Sequence, residues 1–171
     1  LAAPGIRNKD LTTSMINACE ERGDALAIID LYGGYTPAAE AATSEATRNS
    51  DTAVNDVINN LRIRNLNSSY GAAYWPWVQI VDTIDGSTLW APPSVAAIGA
   101  ISFGQANAEL WFAPAGFNRG GLSEGAAGIP VVNTRQRLTS KERDELYAAN
   151  INPIANFPSE GIVIFGQKTL Q

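Results

Sequence analysis

The closing stretch of the chain, Ile151 to Gln171, constrains the fold most because it has the pattern of two strands joined by a tight turn. The turn signal is Pro158-Ser159-Glu160-Gly161, in which proline presets φ for a turn and glycine accepts a positive φ. The second apolar run is Ile162 to Phe165, and the first consists of Ile151, Pro153, Ile154, Ala155 and Phe157. Both runs are rich in β-branched and aromatic residues, as strands are. The pattern predicts a β-hairpin whose second strand, apolar at four consecutive positions, is buried on both faces in the middle of a sheet.

The same stretch nearly matches a phosphate-binding loop, which gives a competing chemical interpretation. Gly161 to Thr169 approaches the pattern G-x-x-x-x-G-K-[ST], but Gln167 separates Gly166 from Lys168. A phosphate loop needs its lysine directly after the last glycine, at the start of a helix whose N–H groups hold the phosphates. Strand-forming residues lie between these glycines, so a core strand is favoured. An α/β enzyme or nucleotide-binding module that uses this stretch is the alternative.

Composition argues against several classes of function. The chain has 171 residues, of which 45% are apolar and 17% are charged, as in a globular domain with a sizeable core. Its net charge of −5 and the absence of a basic block argue against nucleic acid or an anionic membrane as a partner. The longest nearly apolar run, Val95 to Phe103, is too short to span a membrane. The chain has no histidine, the commonest general base and metal ligand.

The remaining polar residues suggest no catalytic, cofactor-binding or metal site. Asp30, Asp82 and Asp85 are the candidate metal ligands, but the stretch after Asp82 has too few ligands for an EF-hand loop and no closing glutamate. A solvated turn is therefore expected there. The single cysteine, Cys19, lies on a predicted helix face and is expected to be a buried apolar residue rather than a nucleophile. We predict no catalytic residue, no cofactor and no metal.

Hydrophobic periodicity and local signals predict helices and strands along the rest of the chain. Helices are predicted over Leu11 to Arg22, Ala38 to Arg48, Ala53 to Leu61, Pro93 to Asn107 and Ser140 to Ala149. The helix start and stop signals are Asp10 as an N-cap, Gly23 as a stop, Thr36-Pro37 as a start, and Thr139 with Glu142 as a capping box. Val131 and Val132 form a short extended piece, and the glycine-rich stretch Phe117 to Gly128 is predicted to be a loop.

These elements indicate an α/β fold, with a mixed central β-sheet flanked by helices and a closing β-hairpin near the C-terminus. We expect Leu26 to Leu31, Trp77 to Val81 and Ile162 to Gln167 to be neighbouring strands of that sheet. An aromatic group lies at Tyr70, Tyr74, Trp75 and Trp77. This group lacks the interleaved Arg and Lys of nucleic-acid readers, so core and edge packing is favoured over a sugar or base platform.

Several separate segments of the chain resemble the contractile tail sheath proteins of bacteriophages and related contractile injection machines. The strongest marks are Asn150-Ile-Asn-Pro-Ile154 and Glu160-Gly-Ile-Val-Ile-Phe-Gly-Gln-Lys-Thr-Leu170. Further similar segments are Glu21 to Asp30, Ser68 to Asp82 and Pro92 to Gly116. One departure is Phe103-Gly-Gln-Ala-Asn107, which replaces an Arg- and Asp-rich helix ending. Several motifs in the right order are much more specific than one short match.

The resemblance implies a structural subunit and no enzyme. Such subunits self-associate into stacked hexameric rings, polymerise helically around an inner tail tube, and contract to drive the tube through a cell envelope, which allows genome ejection. The implied partners are further copies, the inner tube protein, and baseplate and neck proteins, without direct nucleic-acid contact or membrane insertion. The implied location is the virion tail, assembled in the host cytoplasm. Residues 1–171 are then expected to be one α/β domain, a fragment of a longer subunit without its C-terminal tube-contacting domain.

Overall fold

The computed structural model describes residues 1–38, 40–123 and 130–171. In these ranges the strands are β1 (Ala27–Asp30), β2 (Gly71–Trp75), β3 (Val78–Val81), β4 (Thr88–Ala91), β5 (Val131–Thr134), β6 (Ile151–Phe157) and β7 (Gly161–Ile164). The helices are α1 (Lys9–Arg22), α2 (Glu45–Arg48), α3 (Val54–Arg62), α4 (Pro93–Asn107) and α5 (Ser140–Ala148). Within the described part of the chain, no helix combines the length and apolar character needed to cross a membrane.

The middle layer is a four-stranded mixed sheet in the order β1-β2-β6-β7. The first three strands run parallel, and β7 returns antiparallel to β6. The predicted hairpin is confirmed, because Phe157 pairs with Gly161 at its end and Gly161 has a φ of 72°. This positive φ is the conformation for which glycine is favoured at the turn. The predicted α/β fold with a mixed central sheet is also confirmed.

Both faces of the main sheet are covered, because alternate residues of its strands point to opposite sides. On one face, Ile29 and Trp75 share a buried cluster with apolar residues of α1, α3 and α5. On the other face, Ile28 and Tyr74 share a second cluster with α4 and with three further strands. Tyr74, Trp75 and Trp77 are buried and Tyr70 is partly buried against the first cluster, so the prediction of core and edge packing for this aromatic group is confirmed. The molecule therefore has three layers.

The three further strands form a separate sheet in the order β4-β3-β5, which corrects one sequence prediction. We expected Trp77 to Val81 to lie in the central sheet beside β1. The neighbour of β1 is instead β2, and β3 lies in the second sheet. The run is divided at Pro76, which has no N–H to donate to a ladder. The two strands therefore belong to different sheets although only Pro76 and Trp77 separate them.

The position of β7 in the sheet corrects a second prediction. Its residues Ile162 to Ile164 are buried as expected, but Phe165 lies beyond the strand and is 40% exposed, and β7 is an edge strand of the main sheet. A short loop covers this edge, because the Leu122 N–H donates to the Ile162 carbonyl oxygen and the Ile164 N–H donates to the Gly120 carbonyl oxygen, both at 2.8 Å. At the opposite edge the Ile28 N–H donates to the Leu1 carbonyl oxygen at 2.9 Å. Local segments thus pair with both outer edges, which lowers the tendency of each edge to bind another strand.

Two helix-start predictions were wrong, one because another residue caps the helix and one because tertiary packing is missing. The N-cap of α1 is Asn8, whose side chain accepts hydrogen bonds from the N–H groups of Asp10 and Leu11. Among the described residues of the segment predicted as a helix from Ala38 to Arg48, only Glu45–Arg48 is helical. None of these four residues is buried, so no tertiary contact stabilises a longer helix.

The remaining local predictions were more successful. The stop at Gly23 is left-handed with a φ of 72°, α3 and α4 form as predicted, and the capping box at Thr139 is complete. The extended piece at Val131 is strand β5, whereas β4 was not predicted. The loop predicted from Phe117 to Gly128 is observed up to Ser123, and its part at 124–128 lies outside the described residues.

Candidate functional site

Asn152 is a fully buried amide in β6, and its hydrogen bonds all go to backbone groups. Its Nδ2 donates to the carbonyl oxygens of Ala73 at 3.1 Å and Lys168 at 2.8 Å. Its Oδ1 accepts a hydrogen bond from the Lys168 N–H at 2.6 Å. One side chain therefore binds both backbone groups of Lys168, as a neighbouring strand would. This contact, termed the Asn152 clamp, holds the closing segment 166–171 against the main sheet.

Gly166 allows the closing segment to pass close to the clamp. A Cβ atom at Gly166 would lie 2.9 Å from Oδ1 of Asn152 and 3.1 Å from Cδ of Pro153. A side chain at this position would force the segment away from β6, so glycine is required by close approach. Asn152 of the first sequence motif and Gly166 of the second motif thus take part in the same contact.

Lys168 is engaged in a structural contact at the end of α5. Its Nζ donates to the Tyr147 carbonyl oxygen at 2.9 Å and lies 4.2 Å from the centroid of the Tyr147 ring. That carbonyl belongs to the last turn of α5, where the helix dipole favours a cation. The described residues after β7, Phe165 to Gln171, contain no helix. A phosphate loop requires its lysine at the N-terminus of a helix. Lys168 is therefore not placed as a phosphate loop requires.

We expect isothermal titration calorimetry with ATP and Mg²⁺ to show no binding, because Lys168 is engaged and no helix N-terminus faces it. The matched control is Lys141→Ala, which removes a lysine that is exposed on α5. A saturable heat of ATP binding that is present in Lys141→Ala and absent in Lys168→Ala would contradict this expectation and support the nucleotide-binding interpretation.

Leu170 fixes the far end of the closing segment in the hydrophobic core. It is buried, and its N–H donates to the Gly71 carbonyl oxygen at 2.9 Å. A Cβ atom at Gly71 would lie 2.9 Å from Cδ1 of Leu170 and 3.1 Å from Cγ1 of Ile16. The missing side chain of Gly71 therefore makes room for Leu170 against α1. The closing segment is held by a polar clamp at Lys168 and by apolar packing at Leu170.

An open groove of about 380 Å³ lies beside the clamp. Its apolar walls come from Ala113, Ala115, Pro153 and Phe165. Arg143 also lines the groove, and its guanidinium carbon lies 4.5 Å from the centroid of Phe157 and 5.7 Å from that of Phe165. These rings pack on each other with centroids 5.2 Å apart. The groove is thus an apolar recess with a stacked guanidinium on one side.

An exposed turn with three apolar side chains, Leu110 to Phe112, follows α4. Leu110 is 77% exposed and Trp111 is 78% exposed. The turn is closed by a hydrogen bond from the Phe112 N–H to the Glu109 carbonyl oxygen at 3.0 Å. The Arg119 guanidinium carbon lies 3.8 Å from the centroid of the Phe112 ring. The hydrogen bond and the stacked arginine hold the base of this apolar turn in place while its outer two side chains face solvent.

Asp30, the first of the three aspartates considered as metal ligands, caps a helix instead. Its Oδ1 accepts from the Ser94 N–H at 2.9 Å, and its Oδ2 accepts from Ser94 Oγ at 2.8 Å and from the Gly5 N–H at 2.9 Å. The N-cap residue of α4, Pro92, supplies no side-chain acceptor. Asp30 takes over that role from the end of β1 and joins the N-terminal segment to α4.

The other two aspartates lie in the turn between β3 and β4. Asp82 accepts a hydrogen bond from the Ile84 N–H, and Asp85 accepts one from the Ser87 N–H, both at 2.8 Å. The predicted turn is therefore observed. Among the residues that the structure describes, no group of three or more Cys, Asp or Glu side chains could hold a metal ion.

Asp30 gives the fold a defined pH dependence. Burial raises the pKa of its carboxyl group above 3.8, although hydrogen bonds from Gly5 and Ser94 and the charge of Arg7 lower it. The folded protein therefore holds this proton to a higher pH than the unfolded chain. Above pH 3.8 and up to the folded-state pKa, the native state binds more protons, so the free energy of unfolding falls as pH rises through this window.

We expect the free energy of unfolding of the native chain, minus that of Asp30→Asn, to decrease from pH 3.8 upward and then level off. Urea titrations of both proteins at a series of pH values measure this difference. A difference that grows with pH would contradict the assignment of burial as the dominant cause.

Comparison with known proteins decides the family. Residues 1–170 match the family model for the phage tail sheath protein central domain. The chain belongs to this family. The resemblance to contractile tail sheath proteins seen in the sequence motifs is thereby confirmed. The Asn152 clamp and residues 166–170 of the closing segment lie within the matched residues, so they are parts of a tail sheath central domain.

Two curated tail sheath proteins are similar to this central domain in sequence. The tail sheath protein of Vibrio phage KVP40 is 29% identical over 113 residues, which are 66% of this chain and 16% of the relative. The tail sheath protein of Enterobacteria phage T4 is 27% identical over 105 residues, which are 61% of this chain and 15% of the relative. The matched regions thus cover only a small part of both relatives.

Two solved structures of the anti-feeding prophage (AFP) share the fold. Its helical sheath in the contracted state matches with a TM-score of 0.64 and 20% identity, covering 100% of this chain and 39% of that chain. Its baseplate matches with a TM-score of 0.61 and 20% identity, covering 95% of this chain and 34% of that chain. At this identity the likeness shows the fold of the sheath domain and nothing more specific.

Proposed function

We propose that this chain is the central part of a structural subunit of a contractile tail sheath. In this proposal the complete subunit polymerises helically around an inner tube and contracts to drive the tube through a cell envelope, which allows genome ejection. The main support for this proposal is the match of residues 1–170 to the tail sheath central domain family. The chain contributes a rigid three-layer body to that subunit.

The geometry supports a structural role for the residues that first suggested chemistry. Lys168 binds the end of α5, Gly166 makes room for the Asn152 clamp, and Asp30 caps α4. Each of these groups is used within the fold. The proposed subunit is accordingly not an enzyme, and the alternative of a nucleotide-binding module is not supported.

The proposed partners follow from this role. The subunit associates with copies of itself in stacked hexameric rings and surrounds an inner tail tube protein. It meets baseplate and neck proteins at the two ends of the sheath. The proposed location is the virion tail, reached after assembly in the host cytoplasm. In this proposal residues 1–171 form one α/β domain of the subunit, and a further C-terminal domain supplies the contacts with the tube.

Electron microscopy of the complete subunit, expressed without other tail proteins, tests the proposal. We expect hollow helical tubes, and dispersed single particles under all assembly conditions would contradict it. The 171-residue chain by itself should sediment as a monomer, because its two main-sheet edges are covered by its own segments and lattice contacts gain strength only by repetition. Tubes formed by this chain alone would show that no further part of the subunit is needed for the lattice.

A further inference from the structure

We propose that residues Glu40 to Asp51, termed the strap, open and reclose on the folded three-layer body as a local unit held by two arginines. The strap lies between β1 and α3 and contains the short helix α2. Each of its ends places one carboxylate against an arginine of the body, Arg7 or Arg135. Segments with few buried apolar contacts open at a lower free energy than the core around them.

The strap buries almost no apolar surface. None of its residues is buried, and only Ala41, Arg48 and Asn49 are half-buried, whereas the others are exposed. Apolar burial is the main driving force for folding, and a helix of four residues such as α2 is not stable by itself in water. The free energy that keeps the strap closed therefore comes from its polar contacts.

The first end of the strap is held by Arg7, which lies just before the N-cap of α1. Its backbone N–H and its Nε each donate to a carboxylate oxygen of Glu40 at 2.9 Å, and its Nη2 donates to Oε2 at 2.7 Å. Its Nη1 donates to the Tyr35 carbonyl oxygen, outside the strap, at 3.1 Å. Arg7 therefore keeps a partner when Glu40 leaves.

The second end is held by Arg135, which directly follows β5. Its Nη1 donates to Oδ1 of Asp51 at 3.0 Å, and its Nη2 donates to the Asn49 carbonyl oxygen at 2.6 Å. Its backbone N–H donates to the Trp77 carbonyl oxygen at 2.7 Å, which fixes this arginine to the body. The Asp51 side chain is 84% exposed, and an ion pair with so exposed a partner contributes little to stability.

The middle of the strap contacts only the segment that precedes it. The Thr36 N–H donates to the Arg48 carbonyl oxygen at 2.9 Å, and Nη1 of Arg48 lies 3.4 Å from both the Thr36 carbonyl oxygen and the Tyr35 hydroxyl. Hydrogen bonds of 3.4 Å are weak. Arg48 is the only lysine or arginine of the strap, and its carbonyl group is engaged while the strap is closed. Trypsin can therefore cleave after Arg48 only when the strap opens.

Thr52, directly after the strap, is fixed to the body and limits the opening. Its Oγ1 accepts a hydrogen bond from the Gly34 N–H at 2.9 Å. A Cβ atom at Gly33 would lie 2.8 Å from Cγ2 of Thr52, so the two residues are in close contact. The next helix, α3, begins at the buried Val54. Opening therefore stops at Thr52, leaves α3 in place and uncovers the two arginines that the strap had bound.

The rate of trypsin cleavage after Arg48, followed by mass spectrometry, measures the open population when closing is faster than cleavage. Each rate is divided by the rate for a synthetic peptide of residues 40–52 with the same substitution, which removes direct effects on the protease. We expect cleavage of the native chain at a rate that Leu170→Ala, a truncation in the core, leaves unchanged. Cleavage through global unfolding would instead rise about 30-fold or more in Leu170→Ala, which corresponds to a stability loss of about 2 kcal/mol.

The charges at the two ends of the strap are tested by substitution. Glu40→Ala and Asp51→Ala should each raise the cleavage rate several-fold. The matched control is Glu45→Ala, which removes the same charge from α2, makes no ion pair with the described residues and should change the rate little. Sodium chloride should raise the rate of the native chain more than that of a variant with both Glu40→Ala and Asp51→Ala, because salt screens exposed ion pairs.

Urea unfolding verifies that Leu170→Ala lowers the global free energy of unfolding and that the three charge variants preserve it. A rate that rises in Leu170→Ala as global unfolding requires would overturn the proposal, as would an uncut native chain when the peptide is cleaved. Equal rates for Glu40→Ala, Asp51→Ala and Glu45→Ala would also overturn it, because the two arginines would then not hold the strap.

Discussion

Replacement of Asn152 by leucine will destabilise the fold by about 3 kcal/mol, because the buried Ala73 carbonyl and the half-buried N–H and C=O groups of Lys168 lose their hydrogen bonds to it, and a buried group left unpaired costs about 1–3 kcal/mol. Leucine has a similar size, so the effect reports the lost hydrogen bonds rather than a cavity. Total stabilities of domains are about 5–15 kcal/mol, so this loss is a large fraction of the whole. Urea unfolding followed by circular dichroism measures it.

The matched control for this prediction is Asn156→Leu on the same strand. Asn156 is half-buried, and its side chain makes no hydrogen bond with the described residues. Its replacement should change the free energy of unfolding by about 0.5 kcal/mol or less. If the two leucine variants are equally stable, the Asn152 clamp does not hold the closing segment.

Truncation of Leu170 to alanine is expected to cost about 2–5 kcal/mol, the usual range for a buried leucine. Leu170 packs into the space that Gly71 leaves beside Ile16, and its removal leaves a cavity between the closing segment and α1. The control is Leu110→Ala, which shortens a leucine that is 77% exposed and should be nearly neutral. A Leu170→Ala variant as stable as Leu110→Ala would show that the closing segment does not contribute to the core.

The two substitutions also test whether the closing segment is held as one unit. Asn152 binds Lys168, and Leu170 lies only two residues further along the chain. If Asn152→Leu already releases the segment, Leu170 no longer contributes, so the double variant should lose less than the sum of the single losses. Strict additivity in urea unfolding would instead indicate two independent contacts.

Signals confined to a few neighbouring residues made much of the fold predictable from sequence. The turn of the closing hairpin, the capping box at Thr139 and the stop at Gly23 each rest on the chemistry of one to four residues. Helix α4 was also predicted with its observed bounds, Pro93–Asn107. These local preferences agree with the tertiary structure, as expected for a sequence that specifies one fold.

Strand partners were less predictable because they depend on contacts between distant residues. The run that includes Trp75 and Trp77 has one continuous apolar character, yet it serves two sheets. The apolar run after Gly161 indicated burial correctly for Ile162 to Ile164 but wrongly for Phe165, which is 40% exposed. It did not indicate the edge position, because a loop from Gly120 to Leu122 covers that edge. Periodicity reports burial and does not identify the covering element.

The contacts that form the candidate site were the hardest feature to predict from the sequence. In the sequence, Asn152 was identified only as one residue of a motif. Its role depends on Ala73 and Lys168, which come within hydrogen-bonding distance of it only in the folded chain. The groove likewise combines Ala113, Arg143 and Phe165 from three separate stretches of the chain. The exposed Trp111 carried no distinguishing local signal, because an apolar residue in a loop can equally be buried.

A cryo-electron microscopy reconstruction of tubes formed by the complete subunit tests the sheath assignment most directly. We predict a helical lattice in which every repeat contains the three-layer body of residues 1–171, with the closing segment clamped by Asn152. A helical lattice whose density excludes this body, or a complete subunit that forms no helical lattice at all, would contradict it.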